Sequence, residues 1–160
     1  MALDMYMKLE GVEGESVDDA HQGEIDLIAW NWGMAQSGSM HTAGGGGSGK
    51  VSVQDLSFVH HIDKASPVLQ QKCCLGEHFG EAVLTVRKAG GSQIEYLIIT
   101  MKNVLVTSIS TGGSGGQDLL DETVSLNFEE YNISYTPQNN DGSGGAAVEW
   151  AYNMAKNTKA

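Results

Sequence analysis

Gly44-Gly45-Gly46-Gly47-Ser48-Gly49-Lys50 has the glycines and the lysine of a phosphate-binding loop. Such a loop needs Ser or Thr directly after the lysine, to hold magnesium, and must open a helix whose amides face the phosphates. Here Val51 follows Lys50, and Val51, Val53 and Leu56 alternate with Ser52 and Gln54 as a strand does. The stretch reads instead as a long β-arm, over about residues 37–50, that orders on contact with a partner. Gly112-Gly113-Ser114-Gly115-Gly116 likewise matches the nucleophile elbow G-x-S-x-G, which requires a strand before the serine and a helix after it. The strand Val104–Ser110 is there, but QDLLDETVSLNF soon becomes another strand, so Ser114 would sit in a flexible loop.

Metal chemistry has no better support. Of the five histidines, His60 and His61 are strand neighbours and point to opposite faces, and His21, His41 and His78 stand apart. No H-x₃-H, C-x₂-C or H-E-x-x-H spacing occurs. The only cysteines, Cys73 and Cys74, are adjacent, which suits reduced thiols, one buried and one near the surface. No catalytic residue, cofactor site or metal site is assigned.

The elements that would position a functional surface are strands. Leu3, Met5, Met7 and Leu9 share one face. Within Gly23–Trp32, Ile25, Leu27 and Ala29 alternate with Ile28, Trp30 and Trp32, so Asn31 projects beside Ala29 and Leu27 on the face opposite the two indoles. Ala82–Arg87 and Gln93–Met101 form a hairpin about the turn Ala89-Gly90-Gly91-Ser92, and Val104–Ser110 continues with a further strand. Thr123–Tyr135 changes parity near Glu129-Glu130, which predicts a bulge. Val148, Trp150 and Tyr152 make a last short strand. One helix is expected: Ser66 as N-cap, Pro67 at its first position, Val68–Leu75, then Gly76 as the stop, with Leu69 and Cys73 inward and Lys72 toward water. The predicted architecture is a mainly β single domain over residues 1–160, an antiparallel β-barrel with one short flanking helix.

The 160 residues carry twenty acidic and nine basic side chains, a formal net charge of -11. That field disfavours nucleic acid and anionic membrane as partners. The start, MALDMYMKLEGVEGES, has no basic region followed by an apolar run, and no stretch has membrane-spanning length. Synthesis in the cytoplasm is expected, with any export by a route that reads the folded protein.

Taken in order and spacing, the blocks MALDMYMKLEGVEGES, GEIDLIAWNWGMAQSGSMHTAGGGGSGKVSVQDLSF, HHIDKASPVLQQ, VRKAGGSQIEYLIITMKNVLVTSISTGGSGG and DETVSLNFEEYNISYTPQ resemble the haemolysin-coregulated protein (Hcp) family. The resemblance runs along almost the whole chain and is least diagnostic from Asp141 onward. It implies a phage-tail-tube-like β-barrel, hexameric rings and their stacking into the inner tube of a type VI secretion system. It also implies secretion without a signal peptide and a lumen that carries small effector proteins. The implied partners are further copies of the chain, a VgrG-like spike protein and the contractile sheath. On this resemblance the arm residues Ser39, Met40, His41, Thr42, Gly45, Gly47 and Lys50 contact neighbouring subunits, while Asn31, Leu27 and Ala29 face the lumen. Other readings are a phage-like tail-tube protein and, remotely, an enzyme acting through Lys50 or Ser114.

Overall fold

The computed structural model describes residues 3–38, 40–41, 49–89 and 93–160. Its long ladder runs, in spatial order, through β2 (Ile25–Asp26), β1 (Leu3–Leu9), β7 (His78–Lys88), β8 (Leu97–Gly112) and β9 (Asp121–Tyr135). Past β9 it divides. The first half of β9 pairs with β6 (Leu56–His61), which pairs with β3 (Ala29–Asn31). The second half pairs with β10 (Val148–Asn153), which is edged by β11 (Thr158–Lys159). All pairings are antiparallel.

The ladder does not close into a complete ring of strands. Between β2 and β3 the chain turns a corner: Leu27 N–H donates to Met5 O on β1 and Ile28 N–H to Val59 O on β6, at 2.9 and 2.8 Å. This corner divides the continuous strand expected over Gly23–Trp32, because one stretch has to serve two sheet edges. It also separates Leu27, which is partly buried against the core, from Ala29 and Asn31, which are exposed.

Inside the barrel, Met7, Leu9, Ile25, Leu56, Phe58, Leu84, Ile99, Met101, Val104, Val124 and Leu126 are buried together. Inward residues skip a place at one level on three adjacent strands: Phe79 to Ala82 on β7, Met101 to Val104 on β8, Phe128 to Tyr131 on β9. The ladder register is unbroken there, since Lys102 faces Glu130 and Val104 faces Phe128, so the bulge expected near Glu129-Glu130 does not form. The change of parity expected near Glu129-Glu130 is thus shared by all three strands, and on β8 it is absorbed by Asn103 at φ 52°. The predicted strands Gln93–Met101 and Val104–Ser110 are for the same reason one bent strand, β8. Its register shifts by a residue between Val106 and Ser108.

Helix α1 (Ala65–Leu75) begins before Ser66, which therefore lies inside the helix and not at its cap. Asp63 does that work: its Oδ1 accepts the Ala65 N–H at 2.9 Å, and Ser66 Oγ accepts the Asp63 N–H at 3.2 Å. Gly76 ends the helix at φ 63°, as expected of a left-handed C-cap. Leu69 is buried and Cys73 partly so, with Cys74 exposed. Lys72 is not turned to water; its side chain is 17% exposed and lies 5.7 Å from the Phe79 ring centroid.

On the outer face of β1 and β7 a strap, residues 13–24, is held by buried polar groups. The Arg87 guanidinium binds Asp4, Asp18 and the Tyr6 hydroxyl. His21 stacks on Tyr6 with centroids 4.3 Å apart and sits between the Glu24 and Glu95 carboxylates at 2.8 and 2.6 Å. Burial pushes the Tyr6 phenol up to about 12, so it remains a neutral partner for Arg87.

Candidate assembly and lumen surfaces

The arm leaves the barrel through β4 (Met34–Ala35) and returns through β5 (Ser52–Val53), paired Met34 to Val53 and Ala35 to Ser52. Its root is clamped by aromatic side chains. Trp32 meets Tyr131 edge-on at 4.7 Å and Phe128 at 5.9 Å, and its Nε1–H donates to Gln54 O at 2.8 Å. Tyr131 in turn donates its hydroxyl toward Met34 Sδ at 3.7 Å and accepts from Trp150 Nε1 at 3.1 Å. A cavity of about 260 Å³ remains between the arm legs and β10, lined by Met34, Val51, Tyr131, Trp150 and Tyr152 among others. Trp32 and Trp30 both pack against the core, as the alternation predicts.

Of the arm residues, Met40 is 84% exposed, and His41 and Lys50 are exposed as well. Ser39, Thr42, Gly45 and Gly47 lie outside the described residues. The aromatic clamp is absent from the sequence reading. Tyr131, Trp150 and Tyr152 are far from Trp32 along the chain, and only the division of β9 between β6 and β10 brings them to the arm.

The outer face of β3, β6, β9 and β8 forms a second surface. Register aligns Asn31, Ser57, Ser125 and Ser108 in one row across the four strands, and Ala29, Val59, Thr123 and Ser110 in the next. Ser57 Oγ and Ser125 Oγ are 2.8 Å apart. None of these eight side chains is ionisable, in a chain with twenty acidic residues. Charge is kept to the margins: Asp55 accepts from Asn127 Nδ2 at 2.9 Å and from Thr107 Oγ1 at 2.6 Å, and His61 pairs with Asp121 at 3.0 Å. Asn31 and Ala29 belong to this wall; Leu27 does not.

Neither resemblance to a catalytic loop has the surroundings that the chemistry needs. Lys50 precedes β5, not a helix. Ser114 lies in an exposed loop, where its N–H donates to Gln117 Oε1 at 3.0 Å and its hydroxyl makes no hydrogen bond among the described residues. No group of three or more metal-ligating side chains occurs among the described residues. No helix among them is long and apolar enough to cross a membrane.

One buried ion pair stands where β6 pairs with β9. His60 Nε2 and Glu122 Oε1 are 2.9 Å apart and both side chains are fully buried. Burial alone would lower the imidazole's pKa, but the Asp63 and Glu122 carboxylates outweigh it and raise the pKa above its ordinary value. Asp63, at 3.7 Å from Nδ1, acts through its charge and not through a hydrogen bond.

The family described as "Type VI secretion system effector, Hcp" matches residues 6–135. Protein hcp1 of Pseudomonas aeruginosa PAO1 is 56% identical over 162 residues, covering 100% of both chains. Among solved structures, Hcp1 from Salmonella typhimurium is 37% identical and superposes with a TM-score of 0.85, again over 100% of both chains. A structure described as a type six secretion system protein has a TM-score of 0.94 at 28% identity, covering 99% of this chain and 100% of its own.

Proposed function

Because the chain belongs to the Hcp family, the structural subunits of the secreted type VI tube, we propose that it closes hexameric rings with the Asn31 and Ala29 wall on the lumen and the arm against a neighbouring copy. The observation that carries this reading is the wall of eight small uncharged side chains on the outer face of the barrel sheet. Proteins ordinarily cover an exposed sheet face with charge for solubility. A channel wall has the opposite need, because strong charge or apolar patches would bind a passing protein too tightly to release it. Small effector proteins are then held by confinement and by hydrogen bonds to Asn31, Ser57, Ser108 and Thr123. The rings stack beneath a VgrG-like spike, inside the contractile sheath, and the folded subunit leaves the cell with them.

Light scattering with negative-stain images of the purified protein tests the assembly. Six-fold rings with an open centre are expected, and a monomer at every concentration would refute it. The lumen assignment is tested by Asn31→Arg: rings persist, while retention of a co-expressed small effector from the same secretion cluster falls at least tenfold. Unchanged retention would move the lumen to another face.

A further inference from the structure

The end of the barrel away from the arm root carries an exposed apolar rim. Ile62, Leu119 and Leu120 are 40%, 57% and 53% exposed, and Ile62 N–H donates to Leu120 O at 2.8 Å, so the three form one patch. Beside it runs an open groove of about 380 Å³ lined by Thr111, Gly113, Ser114, Gln117 and Asp121. The charge at this rim is mainly acidic: Asp118 and Asp121 flank the leucines, His61 is paired to Asp121, and Lys64 is engaged by Glu13.

The arm is its chemical complement. Between Asp26 and Asp55 the chain has no acidic residue, and its only ionisable side chains there are His41 and Lys50. Twenty acids are spread over the remainder, and this segment, 28 residues from 27 to 54, is the longest acid-free stretch of the chain, so it meets little repulsion from an acidic surface. Its described tip offers Met40, 84% exposed, a flexible apolar side chain suited to an irregular patch.

Reach decides between one copy and two. The arm root touches Tyr131, ten positions along β9 from Asp121, a separation of roughly 30 Å at strand rise. Met40 is six residues beyond Met34 and so extends at most about 20 Å from the root. It falls short of its own rim. We infer that the rim formed by Ile62, Leu119 and Leu120, with Asp118 and Asp121, receives the Met40 and His41 segment of a second copy of this chain. The contact is heterologous, one end of one copy on the other end of the next, as repeated assembly in one direction requires. The inference rests on the arm-contact reading above and names the surface that takes the arm.

The test is a disulfide trap. In a Cys73→Ala, Cys74→Ser background, Met40→Cys combined with Leu119→Cys is oxidised and run on a non-reducing gel. A covalent ladder is expected at ten times or more the level of either single variant. A ladder ending at the ring size places the contact between neighbours in one ring, and a longer one places it between rings; both support the pairing. No ladder while images show assembled protein overturns it, as does parent protein that stays monomeric at every concentration, because complementary ends must associate. A chain lacking residues 39–48 separates this inference from its premise. If assembly is lost without the arm yet no ladder forms, the rim assignment alone fails; if assembly survives, the arm reading fails with it. Asp118→Lys with Asp121→Lys weakens association at least tenfold on the same account, with unchanged association counting against it.

Discussion

At the scale of single residues, the buried polar groups set how stability depends on solution conditions. His60 has a folded pKa above the ordinary 6.5 because Glu122 and Asp63 favour its charged form against the cost of burial. A raised folded pKa means the stabilising contribution is complete below about 6.5 and disappears as pH rises through the folded value. The stability difference between the parent and His60→Gln is therefore largest near pH 5.5 and shrinks toward pH 9. Thermal melts across that range read it, each kcal/mol corresponding to about 2–4 °C in a chain of this size. A difference that grew with pH would reverse the assigned charge state. The two histidines side by side in the sequence have separate fates for a simple geometric reason: strand alternation buries His60 and exposes His61.

At the scale of elements, the bend shared by β7, β8 and β9 depends on one residue with a left-handed backbone. Asn103, at φ 52°, tolerates that conformation better than a β-branched side chain. Asn103→Val is expected to cost about 1–2 kcal/mol and Asn103→Gly to be near neutral, measured by urea unfolding. Equal losses in both would mean that the side-chain bond to Glu129 matters and the backbone does not. The arm is a second element with a definable support. Trp32→Ala removes the ring that joins Phe128 and Tyr131 to the arm root. Trypsin cleavage after Lys50 should then accelerate at least tenfold under native conditions, because local opening becomes easier. An unchanged cleavage rate would show that the arm is anchored elsewhere. The alternation of hydrophobic residues made Trp32 legible as a core-facing side chain, but its ring partners on β9, Phe128 and Tyr131, lie 96 and 99 residues further along the chain. No periodicity reports a contact at that separation.

At the scale of the whole molecule, a formal charge of -11 on every copy makes assembly a contest between self-repulsion and local complementarity. Ring stacking should respond to ionic strength, since the Debye length falls from about 30 Å at 0.01 M salt to about 3 Å at 1 M. Light scattering from 0.01 to 1 M salt measures it. Stacking that strengthens with salt means global repulsion dominates, and stacking that weakens means the acid-free arm on the acidic rim dominates. Indifference to salt would contradict an electrostatic role of either kind.

The sequence by itself determined the β class, the single helix, the legs of the arm and the wrong surroundings of both catalytic-loop look-alikes. These follow from short-range rules: alternation in strands, Gly76 as a helix stop, and motifs whose flanking residues are wrong. It located the parity change on β9 as well, because the shared bend shifts the apolar pattern within a few positions, but it assigned the change to a bulge that the unbroken register excludes. The helix start was misplaced by a residue or two, because Ser66 and Asp63 are both good caps and only the fold selects between them. The corner at Leu27 and Ile28, the aromatic clamp, the uncharged wall and the rim were decided by tertiary structure. Each depends on which distant strands pair and in what register. Register is fixed by how the whole apolar set fits one interior, a property of the folded chain and not of any segment of it.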